Sequence, residues 1–326
     1  MKAYVLSYRG EELENRHRVS LAVWGREGFL GYAGEPAFCT FLRSSAKPFQ
    51  ALALFLTGAV ERFGLSSEEV ALATASHDGT PAHVEVAAGF LAKLGLGPER
   101  LACGVHPPFS KEARRALEER GLSPTPLHHN CSGKHAGMLA AALALGVSPE
   151  GYEKPDHPVQ RLNHRTLMEL SGMEPKIATD GCSVPTFALP LSRAARAFYF
   201  LAQPEEAPEA YQEPLRRVGE AMRKHPELVA GPGSIDPLLM ERRPLIAKRG
   251  ADGYYGMALL EGPRGPLGVA LKVEDGSAQA REVAVVALLR LLGLDPGPTP
   301  WDRPVLKNHR GLEVGHLEAQ LELVWV

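Results

Sequence analysis

The sequence predicts an α+β fold, and three observations support this class. Strand-like alternation of apolar and polar residues fills most of residues 3–41. Helix-like spacing of apolar residues then dominates from about residue 49 to residue 230. Strand patterns return after residue 245, with one further helix. Because this order lacks the regular βαβ alternation of a parallel sheet, we expect the N-terminal and C-terminal strands to complete one antiparallel sheet.

The N-terminal strands lead into a long apolar run. Residues 3–8 and 18–24 alternate as half-buried strands do, and a glycine turn leads into a third strand, Phe29–Ala33. A short strand at 38–41 then precedes Phe49–Phe63, which has no polar face. Such a run predicts a buried central helix.

The middle of the chain is predicted to be mainly helical. Thr80 followed by Pro81 is typical of a helix start, and Gly95 of the end of that helix. A short strand at 176–179 feeds the loop Asp180–Pro185. The predicted helices cover residues 66–77, 81–94, 110–120, a stretch ending near 145, 158–170, a segment beginning at Thr186, and 208–224.

The C-terminal part returns to strands and completes the predicted domain. No internal repeat or flexible linker divides the chain, so we expect one domain over residues 1–326 with its helical region at about 49–230. The predicted C-terminal elements are strands at 245–248, 254–260 and 267–273, a helix at 278–292, and a final strand near 318–325.

Bulk properties exclude several classes of function. The chain has 36 basic and 38 acidic residues without a basic block, so we expect no nucleic-acid partner. No apolar run reaches the ~18 residues of a membrane span, and the N-terminus lacks a signal-peptide pattern. We therefore expect a cytoplasmic protein with no membrane partner. Four cysteines are too few for a disulfide framework, and Cys39 and Cys103 are assigned to the core.

A hydroxyl and an amine stand three residues apart just before the apolar run. If this segment is helical, Ser44 and Lys47 share one face, with Cβ atoms about 5–6 Å apart. A neutral lysine there could take the serine proton, and the N–H groups of a helix start favour developing negative charge. This is the Ser-x-x-Lys pattern of one class of acylating hydrolases, although so short a pattern also occurs by chance.

Two other segments offer groups that such a hydrolase uses. Ser76 precedes His77 and Asp78, but three consecutive side chains do not converge on one line of proton transfer, which argues against a Ser–His–Asp triad. The alternative is a helix C-terminus capped by Gly79. Lys248 ends a strand in a Lys-x-Gly pattern, which lines the nucleophile's cleft in Ser-x-x-Lys hydrolases and is otherwise a solvated lysine.

One glycine-containing segment combines thiol, amine and imidazole groups. It is not a phosphate-binding loop, because His128 replaces the first glycine of that motif and His135 replaces its Ser/Thr. Cys131 and Lys134 share a helix face, and Cys182 in a second glycine loop could fold against them. Two thiolates and a neutral amine could bind zinc. The alternative is two buried, inert cysteines.

Taken together, these segments resemble the zinc-containing, Rhizobium-etli-type (type III) L-asparaginases. The resemblance covers residues 3–292 approximately, in order and with compatible spacing. It implies a fold similar to serine β-lactamases and glutaminases, in which an antiparallel sheet packs with a helical region. The motifs that carry it are RSSAKPFQ, ATASHDGTPAHV, HHNCSGKHAGML, DGCSVPTFALPL, AKRGADG and ALKVEDG.

The resemblance also implies roles for individual residues. It assigns a nucleophile with its base, a second serine with a distant lysine, three zinc ligands and three substrate-binding residues. The chain departs from the family pattern by being compact around 203–235 and by having Gly233–Asp236 in place of a more polar segment. The nucleophile and its base are Ser44 and Lys47, and the second serine and the distant lysine are Ser76 and Lys248. The zinc ligands are Cys131, Lys134 and Cys182, and the substrate-binding residues are Arg43, His135 and Asp180.

The expected activity is hydrolysis of the side-chain amide of L-asparagine to aspartate and ammonia, through an acyl-enzyme on serine. The resemblance implies a Zn²⁺ cofactor and a homodimer. Two alternatives stay open at this point. One is a glutaminase or another amide hydrolase of the same fold, and the other is a non-catalytic zinc-binding or ligand-binding protein.

Overall fold

The computed structural model of this chain describes residues 2–326, and their contacts divide them into two compact units. The first unit contains the described residues up to Ser45, together with Ala188–Gln203 and Arg242–Val326. The second contains Ala46–Phe187 and Pro204–Glu241, which is close to the helical region predicted at 49–230. No helix within residues 2–326 is long and apolar enough to cross a membrane.

The strands and helices are numbered in chain order. The strands are β1 (Ala3–Arg9), β2 (Glu12–Gly25), β3 (Gly28–Ala33), β4 (Cys39–Phe41), β5 (Lys176–Thr179), β6 (Pro185–Pro190), β7 (Leu245–Arg249), β8 (Tyr254–Leu259), β9 (Leu267–Val273), β10 (Val305–Lys307), β11 (Glu313–Leu321) and β12 (Val324–Trp325). The helices are α1 (Lys47–Gln50), α2 (Ala53–Leu56), α3 (Ala59–Phe63), α4 (Ser67–Ala73), α5 (Pro81–Lys93), α6 (Lys111–Glu119), α7 (Ser132–Ala144), α8 (Pro158–Ser171), α9 (Leu191–Ala202), α10 (Glu209–Lys224), α11 (Pro226–Val229), α12 (Ile235–Arg242) and α13 (Ala278–Leu291).

The first unit is built on an antiparallel sheet that joins both ends of the chain. Its main strand order is β10-β11-β1-β2-β9-β8-β7, with β3 paired to β2 and β12 paired to β3. Val5 of β1 lies opposite Ala319 of β11, and Leu21 of β2 lies opposite Leu271 of β9. The predicted α+β class and the shared sheet of N-terminal and C-terminal strands are therefore confirmed.

Helices α9 and α13 pack on this sheet and close the core of the first unit. The glycines of β8 and β9 allow α9 to approach closely. A Cβ on Gly268 would lie 2.0 Å from the Ala195 carbonyl oxygen, and one on Gly256 would lie 1.9 Å from the Phe198 ring. These strands can therefore carry only glycine where the helix crosses them.

The second unit is organised around α7, which is buried along most of its length. It packs against α2, α3, α4 and α5. Its small residues permit this contact, because a Cβ on Gly133 would lie 2.2 Å from the Leu72 carbonyl oxygen of α4. The small-residue helix predicted to end near residue 145 is thus the centre of this unit.

Several local predictions were wrong. Cys39, which was assigned to the core, is exposed because it lies on β4, a short strand with both ends exposed, whereas Cys103 is buried as expected. The single helix predicted over Phe49–Phe63 is divided among α1, α2 and α3, and the break between α2 and α3 lies at Gly58, which adopts a φ of 72°. No helix begins at Thr186, since Pro185–Pro190 forms β6 and its end pairs with β4. Helix α12 was missed because the glycine-rich turn before it gave no helical periodicity.

Candidate active site

The segment that carries Ser44 is helical but begins in a strained conformation. Residues Arg43–Ala46 form a 3-10 helix that continues directly into α1, and Arg43 has a φ of 50°. Within the first unit, Ser45 is fully buried and its hydroxyl donates to the Lys248 carbonyl oxygen at 2.5 Å. Ser44, by contrast, is partly exposed. Of the two adjacent serines, Ser45 therefore has a structural role and Ser44 is the more accessible hydroxyl.

The turn after β7 in the first unit is held by cationic side chains. The Arg43 guanidinium pairs with the Asp252 carboxylate, and Lys272 donates to the carbonyl oxygens of Asp252 and Val273. Lys248 itself is buried, and its amine donates to the Arg249 carbonyl oxygen at 3.1 Å. The structure thus brings Arg43 to the turn that follows Lys248.

In the second unit, Lys47 forms a buried pair with Ser76. The Lys47 amine donates to Ser76 Oγ at 3.0 Å and also to the Ala75 carbonyl oxygen. The Ser76 segment lies outside any helix or strand, and its backbone N–H donates to the Val229 carbonyl oxygen at 2.9 Å. The predicted helix of residues 66–77 therefore ends earlier, as α4, and Ser76 follows that helix in a loop.

The environment of Lys47 favours its neutral form. Burial lowers the pKa of the Lys47 amine below its usual value, the negative Cys131 thiolate opposes this shift, and the Lys134 cation adds to it. A lysine must be neutral to accept a proton, so a lowered pKa is what a base at this position needs.

The neighbouring His77 has a structural role. Its Nδ1 accepts from the Gly79 N–H at 3.1 Å, so its Nε2 carries the proton and faces Ser132 Oγ at 2.8 Å. The ring also stacks on His83, with centroids 4.8 Å apart. Burial first, and then the nearby cationic groups, hold the pKa of His77 well below its usual value. Both ring nitrogens therefore have partners in this unit, the Gly79 N–H and the Ser132 hydroxyl, which leaves neither for a triad with Ser76.

The second unit also brings the three predicted metal ligands together. Lys134 donates to Cys182 Sγ at 2.8 Å, and the thiols of Cys131 and Cys182 are hydrogen-bonded to each other. This hydrogen bond holds the pKa of Cys131 well below its usual value, against the effect of burial. Burial alone would lower the pKa of Lys134, but negative charge on Cys182 and Cys131 raises it above its usual value. The pKa of Cys182 is itself raised, first by its hydrogen bond with Cys131 and then by burial.

The donor set fits zinc in its chemistry. Thiolates are preferred zinc ligands, and an amine nitrogen stands where an imidazole is common. No group of three or more His, Cys, Asp or Glu side chains within residues 2–326 is arranged to hold a metal. The set is therefore two thiols completed by a lysine, and it can bind a metal only when Lys134 gives up its proton.

The last two predicted residues lie beside this cluster. Asp180 Oδ2 is 3.8 Å from Cys182 Sγ, while its Oδ1 accepts from the Gly181 N–H at 2.9 Å. His135 is fully buried on α7, and its Nδ1 lies 2.6 Å from the Tyr152 hydroxyl. Burial lowers the pKa of His135 to about 4.

Tyr152 is the residue that the sequence analysis missed. It lies seventeen residues after His135 in a turn without helical or strand periodicity, so no spacing rule connects the two. Within the second unit the structure brings together Lys47, Ser76, Cys131, Lys134, His135, Asp180 and Cys182.

Residues 5–319 match the L-asparaginase II family, which is nearly the whole chain. No curated protein matches the chain at a significant level.

Solved structures show the fold. A crystal structure of Mglu in its L-glutamate binding form, in 4.3 M NaCl, is 17% identical, with a TM-score of 0.50, and the match covers 86% of this chain and 61% of that one. The glutamate form of Mglu is 16% identical, with a TM-score of 0.48 and 86% and 62% coverage. A probable glutaminase from Bacillus subtilis is 12% identical, with a TM-score of 0.42 and 85% and 84% coverage.

The chain spans about 62% of the length of the Mglu chain in its glutamate form. The match at a TM-score of 0.50 is consistent with the predicted fold of the serine β-lactamase and glutaminase type.

Proposed function

The chain belongs to the L-asparaginase II family, and from this premise we propose that it hydrolyses the side-chain amide of L-asparagine to L-aspartate and ammonia. The observation that carries the proposal is the buried hydrogen bond from the Lys47 amine to Ser76 Oγ. A binding protein has no need for a lysine of lowered pKa against a serine hydroxyl, whereas an acyl-transfer enzyme needs such a base.

The proposed nucleophile is Ser44, three residues before Lys47 in one continuous helical stretch. Neutral Lys47 takes the Ser44 proton, and the serine oxygen attacks the amide carbon of the substrate. The amide nitrogen then takes up a proton, the C–N bond breaks and ammonia leaves. The aspartyl group stays attached to Ser44 as an ester. Water attacks this ester, returns a proton to the serine oxygen and releases aspartate.

Ser76 is proposed to pass a proton to the leaving ammonia. Its hydroxyl accepts from Lys47, so a proton on that amine can reach Ser76 Oγ directly. Lys248 is proposed as the second lysine of the relay, as the family resemblance implies. Its burial on β7 fits a lysine kept away from bulk water.

Charge matching supports the proposed substrate contacts. Arg43 would bind the α-carboxylate of asparagine and Asp180 its α-ammonium, with His135 as a further polar contact. The proposed zinc ion would be held by Cys131, Lys134 and Cys182, and when bound it would supply positive charge close to Lys47. That charge would lower the pKa of the Lys47 amine further, in the same direction as burial and the Lys134 cation do.

The test is a comparison of two substrates on the purified chain. We expect kcat/KM for ammonia release to be higher with L-asparagine than with L-glutamine by at least tenfold. Equal or higher values with L-glutamine would assign the protein to the glutaminase alternative. No ammonia from either amide, in a folded and zinc-loaded sample, would favour the binding-protein alternative.

Two further properties are proposed from the resemblance alone. We propose that the protein is a homodimer and acts in the cytoplasm. Light scattering on the eluted protein tests the first, and a mass of one chain would contradict it. Fractionation of the source cells tests the second.

A further inference from the structure

An ion pair in the first unit joins two residues with an unusual backbone conformation. Arg43 pairs with Asp252, and their φ angles are 50° and 53°. Residues other than glycine rarely adopt this left-handed region, and within residues 2–326 only Ser183 shares it with these two. Such conformations persist only where the surrounding structure holds them, and they are frequent at active sites and ligand clamps. The pair therefore points to a functional contact at the turn after β7.

The backbone of Asp252 is fixed by the turn that joins β7 to β8. Asp252 and Gly253 both have positive φ, a combination that tight hairpin turns favour. The Tyr254 N–H closes the turn by donating to the Ala251 carbonyl oxygen at 3.2 Å. The buried Lys272 amine donates to the carbonyl oxygen of Asp252 itself. The Asp252 carboxylate thus projects from a backbone that the turn and Lys272 hold in place.

Arg43 directly precedes the proposed nucleophile. It is the first residue of the 3-10 helix that carries Ser44, and Asp252 binds its guanidinium at Nη1. A guanidinium has five N–H donors, so a contact at Nη1 does not prevent it from binding a second carboxylate. Arg43 can therefore be held by Asp252 and bind a ligand at the same time.

The charge of the turn stays positive in spite of Asp252. Residues 248–254 contain two cations, Lys248 and Arg249, and one anion, Asp252. Arg43 and Lys272 contact this turn and add two more positive charges. The Asp252 side chain is 67% exposed, so solvent also screens its charge. Asp252 can therefore orient Arg43 without cancelling the attraction of this region for an anion.

We propose that Asp252 is a positioning residue that acts through Arg43, because it holds the guanidinium ready for the α-carboxylate of the amino-acid substrate. An arginine that is already held loses less side-chain freedom on binding than a mobile one. The identity of the ligand rests on the proposed function, whereas the hold of Asp252 on Arg43 does not. The alternative is that Asp252 competes with the substrate for Arg43, and the two roles change KM in opposite directions.

The first test removes the charge of Asp252 and keeps the shape of its side chain. In Asp252→Asn we expect KM for L-asparagine to rise by about three- to tenfold, with kcat nearly unchanged, because Arg43 must then be ordered on binding. Asp252→Glu, which restores the charge, should recover part of the loss. A lower KM in Asp252→Asn would show competition and overturn the proposal, and so would an unchanged KM.

The matched control removes a similar ion pair elsewhere in the first unit. Asp295 pairs with Arg290 at 3.1 Å, and its side chain is 62% exposed. We expect Asp295→Asn to leave both KM and kcat as in the wild type. An equal rise of KM in the Asp252 and Asp295 variants would mean that loss of any such pair disturbs the unit, and would overturn the specific role of Asp252.

A second substrate separates the proposed role from a general disturbance of the site. L-asparaginamide has an uncharged amide in place of the α-carboxylate, so it gains no ion pair with Arg43. We expect Asp252→Asn to lower kcat/KM for L-asparagine and to leave kcat/KM for L-asparaginamide unchanged, with isoasparagine as the measured product. Equal losses on both substrates would contradict a role in carboxylate binding.

The hold on Arg43 can be measured without any substrate. Nitrogen-15 spectra of arginine-labelled protein report how fast each guanidinium rotates, and the Arg43→Lys variant identifies the Arg43 signals by their loss. We expect slow rotation in the wild type and faster rotation in folded Asp252→Asn. Equal rotation in both would overturn the positioning role. If the wild type releases no ammonia from asparagine, the proposed function fails and with it the substrate named here, while these spectra still decide whether Asp252 holds Arg43.

Discussion

The Lys47 amine lies 3.0 Å from Ser76 Oγ, so one buried lysine is hydrogen-bonded to the second serine while it follows the first serine by three residues. The same amine also interacts with Cys131, one of the proposed zinc ligands. A substitution of Lys47 would therefore change the proposed base, its hydrogen bond to Ser76 and its interaction with Cys131 at the same time.

Lys47→Met should remove turnover while the protein stays folded. Methionine fills much of the buried space but cannot accept a proton, so we expect kcat to fall by about 10²–10⁴-fold. The ammonia assay measures this loss, and far-ultraviolet circular dichroism checks the fold. Lys154→Met, at an exposed lysine in the second unit, is the control that should keep its activity. Activity within a few fold of wild type in Lys47→Met would contradict the role of base.

The attacking serine can be identified by covalent labelling. A diazoketone analogue of asparagine alkylates an activated nucleophile with loss of nitrogen, and peptide mass mapping then locates the adduct. We expect the adduct on Ser44 and none on Ser45, whose hydroxyl is bound to the Lys248 carbonyl oxygen. An adduct on Ser76 would instead make the Lys47–Ser76 hydrogen bond the nucleophile–base pair.

The stability of the protein should fall as the pH drops below about 6.5. Burial holds the pKa of His77 well below that value in the folded state, whereas an unfolded histidine takes up a proton near it. The unfolded state then binds more protons, so the free energy of unfolding rises with pH in this window, by up to about 1.4 kcal/mol per pH unit for each such histidine. His83, stacked on His77, also has a pKa lowered first by burial and acts in the same direction.

Urea unfolding at about pH 5.5 and pH 7.5 measures this dependence. His77→Gln should reduce the difference between the two free energies, while His309→Gln, at an exposed histidine, should leave it as it is. The explanation is wrong if His77→Gln and wild type show the same difference.

Zinc binding should depend on the two buried thiols. We expect the purified protein to contain one zinc ion per chain and the double variant Cys131→Ala/Cys182→Ala to contain none, because thiolates dominate the affinity of such a site. Cys39→Ala is the matched control, since Cys39 is exposed and far from this cluster in sequence. Elemental analysis gives the metal content. Zinc kept by the double variant would remove the proposed site.

The sheet was predictable because its strands carry local signals. Strands β7, β8 and β9 are buried apolar runs bounded by glycine turns, and each lies within about two residues of its predicted position. The helical part was less predictable where tertiary packing decides the backbone. The apolar run after Ser44 has a helical composition, yet Gly58 breaks it at a φ of 72°.

The candidate site was also predictable only in part, because residues close together in sequence gave a spacing signal and contacts between distant residues gave none. Lys47, Cys131 and Lys134 were found because their spacing in sequence is that of a helix face. The Lys47–Ser76 hydrogen bond joins residues 29 positions apart, and no periodicity could indicate it. Tyr152 was missed for the same reason, since its hydroxyl meets His135 only after the chain has folded.

The most direct test of the central claim is a paired assay of ammonia and aspartate on wild type and Ser44→Ala with L-asparagine. We predict equal amounts of the two products from wild type and none above background from folded Ser44→Ala. Ser45→Ala, the adjacent serine with a structural hydrogen bond, should keep most of the turnover and lose some stability. Full activity in Ser44→Ala, or no ammonia from wild type, would contradict the account.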